Sequence, residues 1–380
     1  MTQNADIKQL TKRARLLLGE GRSEDIDLAT LKTISTGDEQ LQEEIAFLLG
    51  WYYIERKQWD EASNILSPVI EKLKDSSESQ ETPADRERLA YQLLRLGIAT
   101  VNKNRYEDAA QHFSLCLKVL HDRRVHLPSV RIQARYSLGM TCIMRGLYPA
   151  AIQYYKEAIQ LCQHYENEEQ MAEISHGLCY VYRIVGDLPS AYSTGQKALK
   201  LYEQKKDRYS EARMHELLGL VCHRLHDFRE ASDHYTRSLT LASLLNTPTM
   251  IMHNCASLAE LRLAEGLLEE ARFYCELALD NLALVTNNLS RGMTYHMVAN
   301  VTYKEAVQLQ NMERFKLLEK AEEWYEKAIQ ELTQTQSYQE LAETYGDWAH
   351  MLEDTQQEQK AIECWRKGYA ILERQKEAQG

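Results

Sequence analysis

The side chains best suited to chemistry in this 380-residue chain are arginines, histidines and asparagines. Arginine grips a carboxylate with two parallel hydrogen bonds, and Arg183 and Arg224 are the leading candidates. Asparagine donates and accepts at once, so one carboxamide can satisfy a peptide unit. Asn254 and Asn300 lie inside stretches that read as helix, where Asn is a poor former and needs a reason to be present. Twelve histidines occur, but no H-E-x-x-H. His223 and His226 stand three apart and could share a helix face, yet no carboxylate motif accompanies them, so no metal site is expected. There is no G-x-x-x-x-G-K-[ST] and no G-x-G-x-x-G, the loops that cradle phosphates. With 56 Asp and Glu residues, acidic pairs arise on solvated helix faces without catalytic meaning. The eight cysteines form no C-x-x-C pair, which speaks against a zinc knuckle or a redox motif. These residues point to recognition: no catalytic residue, cofactor or enzymatic activity is expected.

The elements that must hold them follow from a repeat. Alanine recurs at Ala62, Ala109, Ala151, Ala191, Ala231, Ala271, Ala321 and Ala361, with gaps of 47, 42, 40, 40, 40, 50 and 40 residues. Twelve residues before most of these alanines comes a large residue followed by a small one: Leu49-Gly50, Leu96-Gly97, Leu138-Gly139, Leu178-Cys179, Leu218-Gly219, Leu258-Ala259 and Trp348-Ala349. Four residues after the alanine comes a large side chain, as in Leu66, Phe113, Tyr155, Tyr235, Tyr325 and Trp365. Seven after it the residue is mostly small, and Cys116 sits there. Cys142, Cys179 and Cys222 also hold small packing positions, as buried thiols acting like small apolar residues. Fixed self-similarity of this length marks a stack of copied supersecondary units.

The pattern L-G-x-x-Y followed by A-x-x-x-F resembles the tetratricopeptide repeat (TPR). The resemblance covers roughly residues 43–380. It implies an all-α, right-handed superhelix (an α-solenoid) of about eight helix-turn-helix repeats, in which the first helix of each pair lines a concave groove. By that resemblance, residues three before and one, four and five after the small position face the groove. Repeat one then contributes Phe47, Trp51, Ile54 and Glu55, and repeat three Tyr136, Met140, Ile143 and Met144. Later repeats contribute Tyr180, Arg183, His223, Arg224, His296, Asn300, Tyr303 and Lys304. Arg213, His253 and Asn254 follow from positions one turn earlier. An apolar, aromatic early groove and a polar later one are expected. The expected peptide-binding set is Tyr180, Arg183, Arg213, His223, Arg224, His253, Asn254, His296, Asn300 and Tyr303. Chaperone-binding members carry a two-carboxylate clamp of Lys, Asn, Asn, Lys and Arg. Asn300 matches its first Asn, but Asp347 stands where the second is needed, so that mode is not expected.

The repeat length is similar to that of bacterial peptide-pheromone receptors and of sensor domains accompanying helix-turn-helix regulators. That resemblance implies a regulatory, peptide- or protein-binding sensor. A scaffold gathering larger partners on its outer surfaces is the alternative, and a latent phosphatase activity using the N-terminal helices is a third reading. Residues 1–42 read as a helical cap of two short helices around 7–18 and 23–34, too short for a three-helix effector bundle. A polar linker is expected over 74–88 and a helical extension in repeat seven over 308–320. Pro68 should kink or shorten its helix. Gly146, Gly186 and Gly266 should end helices with positive φ. A net charge of -11 argues against nucleic acid as a direct partner. No apolar run approaches the ~20 residues of a membrane span, and no secretory signal is visible, so a cytoplasmic protein is expected. Aromatic residues of the first repeat serve a homodimer interface equally well.

Overall fold

A computed structural model of the chain describes residues 2–20, 22–34, 38–75, 83–121, 125–335 and 337–379. The fold is all-α, with no strand among the described residues, and it divides into two units, 1–198 and 199–380.

In the first unit, α1 (Thr2–Gly19) and a short α2 (Leu28–Thr33) precede three helix pairs. These are α3 (Glu39–Glu55) with α4 (Trp59–Asp75), α5 (Pro83–Val101) with α6 (Tyr106–Val119), and α7 (Pro128–Met144) with α8 (Tyr148–His164). Helix α9 (Glu168–Val185) follows, and the division between units runs through α10 (Leu188–Lys205). The second unit holds α11 (Arg208–Arg224) with α12 (Phe228–Leu244), α13 (Pro248–Ala264) with α14 (Leu268–Asn281), α15 (Asn288–Gln308) with α16 (Met312–Thr333), and α17 (Tyr338–Asp354) with α18 (Glu358–Gln379).

The pairing has a simple steric cause. The alanine near the start of each second helix is buried in all eight copies. The large residue four positions later seats on the small residue of the first helix. A Cβ added to Gly50 would lie 2.5 Å from Leu66, to Gly97 2.3 Å from Phe113, to Gly139 2.3 Å from Tyr155, and to Gly219 2.5 Å from Tyr235. Phe113, Tyr155, Tyr235 and Tyr325 are fully buried, each stabilising its repeat by roughly 1.5–3 kcal/mol. Small polar groups at the position seven after the alanine tie the same two helices. Cys116 donates to the Ala90 carbonyl at 3.2 Å and Ser238 to the Ala212 carbonyl at 2.9 Å.

Caps share the period. Asn167, Asp207 and Asn287 each accept from the backbone N–H three residues on, opening α9, α11 and α15. Asp187 and Asp227 do the same for α10 and α12. Turns within repeats pass through positive φ at Gly146, Gly186 and Gly266, and also at Lys57, Asn104, His226 and Gln356.

Several boundaries differ from the sequence expectation. His226 is not on a helix with His223. Helix α11 ends at Arg224, and His226 sits in the left-handed turn at φ 61. The break expected over 74–88 is narrower: α4 runs to Asp75 and Pro83 opens α5, where its missing N–H costs nothing. Residues 76–82 lie outside the described set. Pro68 lies inside α4 without shortening it. In repeat seven, α15 runs to Gln308 and α16 starts at Met312, with Asn311 capping it.

Candidate functional site

A cavity of about 1110 Å³ opens in the second unit. The first helices of four successive repeats line it. Residues three before and one after the small position face it in every case: Glu216 and Leu220 on α11, Ala256 and Glu260 on α13, His296 and Asn300 on α15, Gly346 and His350 on α17. Helix α18 closes one end with Trp365, Gly368, Tyr369 and Leu372. The apolar part is rich in Met252, Met293, Met297, Leu263 and Leu289, and methionine adapts to varied ligand shapes.

The charge of this cavity is one-sided. Glu216, Glu260, Glu343 and Asp347 line it with His253, His296 and His350, and no Lys or Arg is among the described lining residues. The later groove was expected to offer Arg, His, Asn, Lys and Tyr; its charged lining is instead carboxylates with imidazoles. Arg213, Arg224 and Lys304 are absent from the lining. Arg213 lies over the Tyr209 ring, 6.0 Å from its centroid, and Lys304 over Tyr303 at 5.0 Å. A long side chain leaves a groove readily, so its Cα position does not fix where its charge acts.

Two histidines form rungs between the first helices. His253 Nδ1 lies 3.0 Å from Glu216 Oε1, and its Nε2 lies 2.7 Å from Ser290 Oγ, so it joins α11, α13 and α15. His296 Nε2 lies 2.8 Å from Asp347 Oδ2, joining α15 to α17. Asn300 donates to the same oxygen at 3.0 Å and accepts from the Tyr325 hydroxyl at 2.5 Å. Burial alone would raise the Asp347 carboxyl. The hydrogen bonds from His296 and Asn300 and the nearby imidazole charges outweigh it and hold the group below its ordinary value.

The expected site residues separate accordingly. His253, His296 and Asn300 line the cavity. Asn300 does so with both ends of its carboxamide engaged inside the protein, not free for a peptide unit. Asn254 is fully buried, donating to Ser238 Oγ at 2.9 Å and to the Met250 carbonyl at 2.7 Å. It fastens α13 to α12 and does not face the groove, because one residue turns ~100° around a helix. Tyr303 is also buried, and its hydroxyl donates to Asp354. Burial, then that hydrogen bond and charge, push the phenol well above its usual range. His223 is half-buried with its ring edge-on to Phe228, and Arg224 is exposed. In the first unit, Tyr180 is exposed with the Arg183 guanidinium 5.3 Å from its ring centroid.

The early groove also differs from the apolar surface expected. Arg95 is inserted against Phe47 and Trp51, its guanidinium 3.8 Å from the Trp51 ring centroid. Burial lowers its pKa to about 10, with the Glu55 charge opposing that shift. Glu260 and the Met cluster escape the sequence reading, which noted Asp347 only as the residue standing where a clamp needs Asn. Their signal was present in the register, since Glu260 and His350 hold the position one after the small residue.

The pairing, the register and the lined groove all belong to one repeat type. A family profile described as the MalT-like TPR region matches residues 90–340. The chain belongs to the MalT-like TPR region family. No curated protein sequence matches it. Among solved structures, the apo form of RapI has a TM-score of 0.74 at 11% identity, covering 98% of both chains. The apo form of the quorum sensor NprR from B. thuringiensis has a TM-score of 0.68 at 13% identity, covering 97% of this chain and 99% of that one. A Rap protein complexed with competence and sporulation factor has a TM-score of 0.62 at 12% identity, covering 98% and 99%. Likeness at these identities is likeness of fold. No helix among the described residues is long and apolar enough to cross a membrane.

Proposed function

We propose that this TPR protein is a non-catalytic regulatory sensor whose second-unit cavity binds an extended peptide carrying a cationic group between apolar side chains. The observation that carries the reading is the lining itself: four carboxylates, three imidazoles, no Lys or Arg among the described lining residues, and a methionine-rich apolar part. A volume of about 1110 Å³ exceeds the ~300–1,000 Å³ of ordinary small-molecule pockets. Spanning four first helices, it suits an extended chain. A Lys or Arg side chain, or a free amino terminus, would pair with Glu216, Glu260 or Glu343 in a partly desolvated setting, where charge-assisted hydrogen bonds are strongest. NprR is a quorum sensor and a Rap protein is complexed with competence and sporulation factor. A signalling ligand in the corresponding groove is consistent with both.

Regulation follows from the rungs. A cation that takes Glu216 or Asp347 competes with His253 or His296 for the same oxygens. Binding then shifts the spacing of neighbouring first helices, and differential affinity for the two arrangements transmits the signal. The test is mass spectrometry of peptides released from the natively purified protein. Captured peptides should be enriched in basic and apolar residues; an anionic set would contradict the reading.

A second reading, a scaffold for larger partners, has one observation in its favour. Met312 and Phe315, on the first turn of α16, are 74% and 61% exposed. Charge reversal in the cavity with retained partner capture would favour it.

A further inference from the structure

The turn between α11 and α12 brings together three metal-ligating side chains far from any sequence motif. Cys222 lies in the last turn of α11, and Glu230 and His234 lie one turn apart near the start of α12. One ligand atom from each falls within 4.8 Å of the other two. The turn is well fixed: the Asp227 N–H donates to the Cys222 carbonyl at 3.0 Å, and the Asp227 side chain caps α12 at the Glu230 N–H at 3.1 Å. Cys222 and His234 are buried, while the Glu230 side chain is 42% exposed and marks the open side.

The orientation of His234 is the second observation. Its Nδ1 lies 2.8 Å from Nδ1 of His215, a buried imidazole on α11. Its Nε2 is directed to the other side, 4.0 Å from Glu230 Oε1. One of the two facing Nδ1 atoms must donate and the other accept. With Nδ1 of His234 engaged by His215, Nε2 is the ring nitrogen placed to meet a metal beside Glu230. A ring nitrogen of His215 also lies within 4.8 Å of carboxylate oxygens of Glu211 and Glu203. A ligating histidine whose other ring nitrogen is held by a hydrogen bond is the outer-shell arrangement of metal sites.

We infer that Cys222, Glu230 and His234 form a Zn²⁺ site with a fourth position open to water. One thiolate, one imidazole and one carboxylate suit the borderline-soft Zn²⁺ ion. Metal–ligand distances of ~2.0–2.3 Å imply tetrahedral edges of roughly 3.3–3.8 Å. The observed spacing therefore contracts modestly on binding. The Cys222 thiol gives its proton to solvent as the Zn–S bond forms, and the ion replaces that proton. The site is separate from the cavity lining, and its role is to pin the two helices of the fifth repeat.

The test uses the full chain, stripped with chelator, and Zn²⁺ or Co²⁺ alone as probe. Native mass spectrometry should show one Zn²⁺ per chain. The Co²⁺ complex should show a thiolate charge-transfer band and tetrahedral d–d bands. Cys222→Ser should abolish the charge-transfer band. Glu230→Gln, at an exposed position that leaves the core intact, should weaken Zn²⁺ by at least about 10-fold and reduce the rise in melting temperature that Zn²⁺ causes. No 1:1 complex would overturn the assignment. So would a Zn²⁺ affinity unchanged by Glu230→Gln, which settles the matter even if the cysteine variant fails to fold.

Discussion

Substituting alanine at two glycines should move stability in opposite directions. Gly139 and Gly346 both lie in first helices, where alanine gains about 1 kcal/mol of helix propensity. Their surroundings differ. A Cβ on Gly139 would lie 2.3, 2.6 and 3.0 Å from three ring carbons of Tyr155. That ring cannot retreat: it is fully buried, Gly177 closes its other side with a built Cβ at 3.0 Å, and Tyr136 stacks on it at 5.8 Å between centroids. Overpacking of this kind costs ~1–3 kcal/mol, and a contact more than 1 Å inside ordinary van der Waals distance belongs at the upper end. The net effect of Gly139→Ala is a loss of about 2 kcal/mol, or roughly 4–8 °C in Tm for a unit of this size. Around Gly346 the nearest atom is Trp365 Cζ3 at 3.4 Å, on a partly exposed side chain that can yield. Gly346→Ala should be neutral or stabilising by up to ~1 kcal/mol. Urea titration followed by far-UV circular dichroism measures both. A Gly139→Ala protein as stable as the parent, or a Gly346→Ala protein equally weakened, would refute the small-against-large packing on which the fold is argued.

Asn254→Ala should cost about 1–2 kcal/mol in denaturation, because it removes the link from α13 to α12 and leaves the Met250 carbonyl and Ser238 hydroxyl with one partner fewer. It should leave ligand affinity unchanged, and a selective loss of affinity would contradict its placement in the core. The Asp347 carboxyl is held below its ordinary value of 3.8. Its contribution to stability is therefore complete above that value and is lost as pH falls through its lowered native value. Asp347→Asn should flatten the acid limb of the stability–pH curve, and an unchanged limb would show that the His296 and Asn300 contacts do not hold the charge. All eight cysteines are buried, and burial pushes Cys116, Cys255 and Cys275 each up to about 12. In the chelator-treated native state an aromatic disulfide reagent should titrate almost none of them, and all eight should react in denaturant. Rapid native labelling would contradict the packing.

The repeat was legible because its cause is local and steric. Gly139 can be nothing larger while Tyr155 seats on it, and that pairing recurs at Gly50, Gly97 and Gly219. The groove register was legible for the same reason, since Glu216, His296 and Asn300 keep fixed offsets from those small residues. Side-chain destination was not legible. Arg213 and Lys304 fold back over tyrosines, and Asn254 differs from His253 by one residue yet lies in the core. Asp347, noted as the residue where a clamp needs Asn, proves to be the partner that engages Asn300 and His296. The Cys222, Glu230 and His234 cluster was invisible because its spacing crosses a turn. The left-handed turn at His226 and the Asp227 cap set the α11–α12 connection across which those side chains meet.

The most direct measurement of the central claim is calorimetric titration of peptides recovered from the native protein into the parent chain and into the double variant Glu260→Gln, Glu343→Gln. Neither carboxylate serves as a rung between helices in the hydrogen bonds described, so the fold should persist. The account predicts basic, apolar peptides that bind the parent and lose about 10-fold or more in affinity to the variant, as expected for charge-assisted contacts of roughly 1.5–3 kcal/mol. Equal affinity for both proteins, or tighter binding of anionic peptides to the parent, would contradict it.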